Sequence, residues 1–392
     1  MLPGAVSSPR PPWRWRNATL LCVVACIAVT MVMQLVFFTY SMSCDSTQFV
    51  RQLVGTPVTG LIRASDAYCT METCFDISRC PQDPKEFKLY VYPDGPPVMG
   101  HNGHHFTKIR EALKNSPFRT EDPTTACLFF PNFDTTCGSG STGVAKNWFV
   151  TRRLRSLPFW NEGKNHFVVE HNDRDSMEYV ADQAIVLKTS FRDRYYRTGF
   201  DIAFPMDFYP KCGFNQSRQT KPVNERRLLA FFQGSRTTPM RAKILNLHNG
   251  EDIIATFRRS WPYCESMEDA VFSLNPRGNG LHTHRTLEIL AAGSIPVNIV
   301  DHYVFPFSEL VDWKTFSVHV PEHMIERIPE ILEAISPEKR RQLQKKAVHV
   351  FQKYFSTKAK QLHWSMKIIR SRLYQNVSLW DTTDLAVFSK PS

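Results

Sequence analysis

Between Phe272 and Pro296 the chain reads FSLNPRGNGLHTHRTLEILAAGSIP. A short apolar run leads into a glycine turn and then a helical pattern whose first turn carries Arg285 and Glu288. A junction of this kind can hold a phosphate beside a sugar ring. Free backbone N–H groups and the positive dipole end of a helix attract a diphosphate, and Gly278 and Gly280 carry no side chain to keep a ligand off the backbone. Arg285 would fork onto phosphate oxygens. Glu288, on the same helical face, would accept hydrogen bonds from a ribose, while Ala291, Ala292 and Gly293 keep the helix close to its sheet. The same residues also fit an ordinary strand-turn-helix in which Arg285 and Glu288 pair with each other, because a short glycine motif is weak by itself. Two further cations stand at comparable places. Arg236 follows Gly234 in FFQGSR (231–236), at the end of a predicted strand, where parallel sheets meet ligands. Arg277 lies in the glycine turn. The alternatives are a surface ion pair for Arg236 and packing across the turn for Arg277.

Such residues need elements to position them. Apolar runs rich in Val, Ile and Phe recur at Lys88–Tyr92, Ala126–Phe133, His166–Glu170, Ala184–Lys188 and Asp201–Phe204, and again at Leu228–Gln233, Ile253–Phe257, Ala270–Leu274, Ile295–Val300 and Phe316–Val320. Strands that alternate with helical segments imply parallel sheets, hence an α/β fold. The polar, basic stretch Gln216–Arg227 separates the two series and reads as a linker. About 300 residues exceed one small core, so two domains are expected, at 86–215 and 228–375. Ser336 and Pro337 have the form of an N-cap and first turn, with Leu343, Ala347, Val350 and Phe351 on one apolar face. That helix and the next, to about Leu373, are expected to close the second domain.

Residues 18–40 carry no charge and are long enough to cross a hydrocarbon core as one helix. Arg10, Arg14 and Arg16 precede them without an acid, so residues 1–17 are expected on the cytoplasmic side and the bulk of the chain in a lumen. Residues 41–85, polar and cysteine-bearing, read as a stem. Of ten cysteines, Cys22 and Cys26 fall in the span, leaving Cys44, Cys69, Cys74, Cys80, Cys127, Cys137, Cys212 and Cys264, an even number suited to disulfides in an oxidising compartment. Their connectivity stays open. Asn215 and Asn376 head N-x-S sequons and are candidate glycosylation sites, whereas Asn17 falls on the cytoplasmic side. The formal charge is +11. Without the three leading arginines, 45 basic residues face 37 acidic ones, a balance suited to an anionic polysaccharide or nucleotide sugar. Nucleic acid fits poorly behind a membrane anchor. The run Lys339, Arg340, Arg341, Lys345, Lys346 reads as a solvated helix face.

Seven blocks in a fixed order add a family resemblance. They are FKLYVYP (87–93), ACLFFPNFDT (126–135), FWNEGKNHFVVE (159–170), FFQGSR (231–236), HNGED (248–252), PRG with RTLEILAAGSIPV (276–278 and 285–297), and PFSELVDW (306–313). From Phe87 to Leu373 the chain resembles the first catalytic module of the exostosins, glycosyltransferase family 47, which build the heparan sulfate backbone. The resemblance implies a GT-B architecture of two Rossmann-like domains, with the acceptor on the first and the nucleotide sugar on the second. It also implies inverting transfer of glucuronic acid from UDP-glucuronate to a chain ending in N-acetylglucosamine, in the Golgi and endoplasmic reticulum. Arg236 matches an arginine of the family block FKGKR. Inverting transfer needs a base for the acceptor hydroxyl and electrostatic relief for the leaving diphosphate. Asp134, Glu251 and Asp252 are the candidates for the base. Helix N-termini and basic side chains usually give the relief in this fold, so no divalent metal is implied. Asp173 and Asp175 have D-x-D spacing but read as loop, and His282 and His284 are not spaced for a metal.

The chain also departs from the family. Where larger exostosins continue the PRG turn with two arginines and Leu-Gly-Ser-Phe-Arg, this one has Asn279, Gly280, Leu281, His282, Thr283, His284 and Arg285. Two cations beside the diphosphate are missing, each worth roughly 1.5–3 kcal/mol, with Asn279 or a protonated His282 or His284 as partial substitutes. Three readings remain: an active glucuronosyltransferase, a weakly active or inactive subunit that supports a two-module exostosin in a hetero-complex, and a carbohydrate-binding module.

Overall fold

The computed structural model describes residues 68–93, 103–135, 143–207, 212, 220–258, 261–374 and 377. The expected span and tail, Cys44, Cys137, Asn215 and Asn376 lie outside them. Among the described residues no helix is long and apolar enough to cross a membrane.

The first half is built on short parallel strands. These are β1 (Leu89–Val91), β2 (Arg119–Thr120), β3 (Leu128–Phe130), β4 (Phe167–Glu170), β5 (Ile185–Lys188) and β6 (Ile202–Ala203), with α1 (Gly103–Lys114) and α2 (Gly143–Arg155) between them. They pair in the orders β2-β1-β3 and β4-β5-β6. A parallel bridge between Phe129 and His166 joins the two groups. The second half holds β7 (Leu228–Gln233), α3 (Pro239–Ile244), β8 (Ile253–Thr256), α4 (Tyr263–Asp269), β9 (Ala270–Pro276), α5 (Arg285–Ala291), β10 (Ile295–Ile299), β11 (Val318–Val320), α6 (Ile328–Glu333), α7 (Pro337–Val350) and α8 (Lys358–Leu373). Its five strands run parallel in the order β11-β10-β9-β7-β8. Every residue of β7 and β9 is buried, which is why these strands read as nearly continuous apolar runs instead of alternating ones.

The cap of α7 forms as its sequence predicts: Ser336 accepts from the Lys339 N–H, Pro337 opens the helix, and Leu343, Ala347 and Val350 are buried. The structure departs from expectation in four places. Strand β2 was not foreseen. The stretch from Tyr68 to Glu86 is not a stem. Cys69, Met71, Cys74 and Phe75 join the core beside Phe87 and Leu89, the Cys80–Cys127 disulfide ties the segment to the entry of β3, and Asn165 Nδ2 donates to the Asp76 carbonyl at 2.9 Å. Helix α8 does not close the second half. Leu362, Trp364, Ile368 and Ile369 pack with Ile109 and Leu113 of α1, His363 stacks on Phe118, and the Tyr374 hydroxyl donates to the Pro81 carbonyl at 2.7 Å. The chain thus returns to cover the first sheet. The same apolar cluster includes Leu287 and Leu290 of α5, so one core spans both halves.

Residues 220–227 of the expected linker are also docked. Buried Arg226 donates to the carbonyls of Ala270 at 2.8 Å and Ala292 at 3.0 Å, and the Cys212–Cys264 disulfide lies alongside α4.

Candidate functional site

In the second sheet, β8 lies on one side of β7 while β9, β10 and β11 follow on the other. The strand order therefore reverses between β7 and β9, and ligands of doubly wound sheets bind beyond the carboxyl ends at such a point. A cleft of about 820 Å³ opens there. Its walls come from Gln233 at the end of β7 and Gly234 and Ser235 after it, from the turn after β9, from Arg241 of α3, from Tyr263 of α4 and from Arg285 and Glu288 of α5.

Of the residues singled out from sequence, Gly234, Gly278, Arg285 and Glu288 come together in this cleft. Arg285 is buried, donates to the Gln233 carbonyl and lies 4.7 Å over the Phe232 ring. A methyl group on Gly234 would stand 2.7 Å from Arg285 Nη2, so the glycine is what lets the guanidinium reach that carbonyl. Glu288 does not pair with Arg285. It accepts a 2.5 Å bond from the Tyr263 hydroxyl. Tyr263 sits between the two, its ionisation pushed up chiefly by burial.

Arg277 and Arg236 are not in the lining. Arg277 Nε donates to Glu322 Oε1 at 2.7 Å, and Arg236 is exposed on the loop after β7. The second cation of the cleft is Arg241. It donates to the carbonyls of Arg277 at 2.8 Å, Pro276 at 3.0 Å and Ser235 at 3.2 Å, and so clamps the ends of β7 and β9. Burial, with the charges of Arg285 and Arg277 adding, lowers its pKa to about 10. A lone arginine in the short helix PMRAKI carries no local signature, so sequence reasoning missed it.

The expected bases lie elsewhere. Glu251 and Asp252 belong to the turn that enters β8, where Asn249 Oδ1 accepts from their N–H groups at 3.0 and 3.2 Å. That is the amino end of the strand, opposite the cleft, so neither can reach a ligand held at the carboxyl ends. Asp134 is buried past the end of β3 and is not in the lining. Asp173, read as loop, does line the cleft, whereas Asp175 is held by Arg192 Nε.

Asp173 comes from the first half, which meets the glycine turn here. A methyl group on Gly280 would stand 2.2 Å from the Asp173 carbonyl oxygen, so only glycine permits this contact. The Leu281 N–H donates to Ser190 Oγ at 3.0 Å, and that hydroxyl donates to the Asp173 carbonyl at 3.3 Å. Beneath lies a buried polar row in which Lys188 Nζ donates to Asn172 Oδ1 at 2.6 Å and Asn172 donates to Glu170. His282 is 5% exposed, and burial first, then His284 and Lys188, push its pKa down to about 3. It is neutral at physiological pH and does not replace a missing arginine. Among the described residues no group of three or more His, Cys, Asp or Glu side chains is arranged to hold a metal ion.

The profile of the Exostosin GT47 domain matches residues 83–335. Exostosin-1 of Drosophila melanogaster is 30% identical over 372 residues, covering 83% of this chain and 48% of that protein. Exostosin-1c of Danio rerio is 29% identical over 353 residues, covering 80% and 47%, and exostosin-1 of Bos taurus 27% over 369 residues, covering 82% and 48%. The chain spans about half the length of these relatives.

Proposed function

This chain belongs to the exostosin GT47 family, and on that premise we propose that it is an inverting GT-B glycosyltransferase that uses a UDP-sugar at the β7/β9 cleft. The observation that carries the reading is the convergence of Gly234, Gly278, Arg241, Arg285 and Glu288 at the switch point of the second sheet. Arg241 and Arg285 would face the diphosphate, Glu288 with Tyr263 the ribose, and the first half would present the acceptor. The donor we propose is UDP-glucuronate and the acceptor an N-acetylglucosamine-ended heparan sulfate precursor, in a Golgi or endoplasmic reticulum membrane with a single type II anchor. The test is calorimetric titration of the purified full-length chain in detergent with UDP-glucuronate, UDP-xylose and UDP-galactose, followed by transfer to an N-acetylglucosamine-ended oligosaccharide. Preference for UDP-glucuronate and a single addition support the reading. Absence of any UDP-sugar binding ends it.

A second reading is favoured by the cation count of the cleft. Arg277 is engaged by Glu322, Arg236 does not line the cleft, and His282 is neutral. Gly280 leaves no space for an arginine side chain at its position. A donor held by two arginines binds more weakly than one held by four, at roughly tenfold or more per missing contact. On this reading the chain supports a two-module exostosin in a hetero-complex, where tethering raises the effective concentration of the growing chain end to the millimolar range. Polymer formed only by the pair, with no addition by this chain alone, distinguishes it from the first reading.

A further inference from the structure

We propose that Asp173 is the base that takes the proton from the acceptor hydroxyl, and that His282 holds it in position; the proposal rests on the transferase reading above. Among the described residues, two carboxylates, Asp173 and Glu288, line the cleft. Glu288 sits on the donor half and accepts from Tyr263, whereas Asp173 is contributed by the half that would present the acceptor. An inverting displacement needs its base on the face of the sugar opposite the leaving diphosphate, and a carboxylate from across the cleft meets that demand.

Asp173 is also fixed in place. Its carbonyl accepts from Ser190 Oγ at 3.3 Å and touches Gly280, so its backbone cannot shift without opening the junction of the halves. Its side chain remains 63% exposed, open to a substrate. Asp173 Oδ1 stands 3.5 Å from His282 Nε2. The other ring nitrogen, Nδ1, is buried without a partner, a group that no structural role has absorbed. Because burial, and after it His284 and Lys188, keep His282 neutral, its Nε2–H can orient the carboxylate without cancelling its charge, as an arginine or lysine there would. The acceptor oxygen then attacks the anomeric carbon as the bond from that carbon to the diphosphate oxygen breaks. The bonding pair leaves on UDP, facing Arg241 and Arg285. The hydroxyl proton passes to the Asp173 carboxylate, which returns it to water.

The experiment compares the native full-length chain with Asp173→Asn, His282→Ala and His282→Gln, measuring UDP affinity, kcat, acceptor KM and the pH profile of kcat. Asp173→Asn should lower kcat by roughly 10²–10⁴-fold with UDP affinity within about twofold of native. His282→Ala should lower kcat by about tenfold and displace the acid limb of the pH profile, and His282→Gln, which restores an N–H donor, should recover most of the loss. If the native chain transfers sugar and Asp173→Asn keeps more than a tenth of its rate, the base assignment fails while the transferase reading stands. If the native chain binds no UDP-sugar and transfers nothing, both fail together. If Asp173→Asn weakens UDP binding as much as turnover, Asp173 is a donor contact and the proposal is overturned.

Discussion

Gly234→Ala adds one methyl group and removes no functional atom, yet it should disable the donor cleft. The new carbon would stand 2.7 Å from Arg285 Nη2 and 3.0 Å from the tip of the Phe232 ring. Of the two, the guanidinium is freer to move, so the substitution displaces Arg285 from the Gln233 carbonyl it bonds. Losing a charge-assisted hydrogen bond removes roughly 1.5–3 kcal/mol. Gly234 is not among the positive-φ glycines, so alanine suits its backbone and gains about 0.4–1 kcal/mol through the less flexible unfolded chain. Net stability should fall by only about 1–2 kcal/mol, a shift of a few degrees in melting temperature. Donor binding has no such offset. With Arg285 turned away, UDP affinity should drop by roughly 10- to 150-fold. Calorimetry with UDP, run beside thermal unfolding of the same preparation, measures both. A folded variant that binds UDP within twofold of native would show that Arg285 does not hold the diphosphate.

Further outcomes can be checked in the same preparations. Glu288→Ala should abolish detectable UDP binding and cost about 1–2 kcal/mol of stability, because the Tyr263 hydroxyl loses its acceptor; if binding survives, the ribose contact is wrong. Cys212→Ser combined with Cys264→Ser opens a 52-residue loop, and in the chain-entropy treatment it should lower unfolding free energy by about 4 kcal/mol in urea titrations. Acid should destabilise the fold through buried histidines. His282 is held to about 3 and His166 to about 4, both mainly by burial. The unfolded chain takes up these protons near 6.5 while the folded chain refuses them, so stability present above that pH is lost as pH falls toward 4. Each group contributes about 1.4 kcal/mol per pH unit in that window. His282→Gln should remove its share of the slope between pH 6 and 4.5, and an unchanged slope would contradict its burial as a neutral ring.

Long strands were legible because burial on both faces leaves a nearly continuous apolar run, as in LLAFFQ of β7 and AVFSL of β9. Strand β2 has two half-buried residues, Arg119 and Thr120, and no run to detect. The stretch Tyr68–Glu86 looked like a tether because its composition is polar. What fastens it is non-local: the bridge from Cys80 to Cys127 and the bond from Asn165 to the Asp76 carbonyl. Helix α8 shows the same limit. Lys360, Lys367, Arg370 and Arg372 interrupt its apolar residues, and nothing in Leu362, Trp364 or Ile369 says which sheet they will cover.

In the site, local motifs were legible and the roles of single charges were not. Gly234, Gly278, Arg285 and Glu288 stand out because turn and helix residues recur at fixed offsets within two blocks. Arg241 and Asp173 reach the cleft from a separate helix and from the other half of the chain. Glu251 and Asp252 were mistaken for reasons of direction: HNGED precedes β8, and in a parallel sheet only segments that follow a strand emerge at the ligand face. The arginines carry the same lesson further. Arg277 lies in the glycine turn itself, yet its Nε is committed to Glu322, while Arg241, which lacks any motif, sits in the cleft with its pKa lowered first by burial and then by Arg285 and Arg277. A guanidinium beside two other cations is stabilised by an arriving dianion, so on the transferase reading a diphosphate would offset the repulsion among Arg241, Arg285 and Arg277. On that reading the carboxylate that faces these cations from the other half of the chain would be Asp173, and Asp173→Asn tests the pair of roles together.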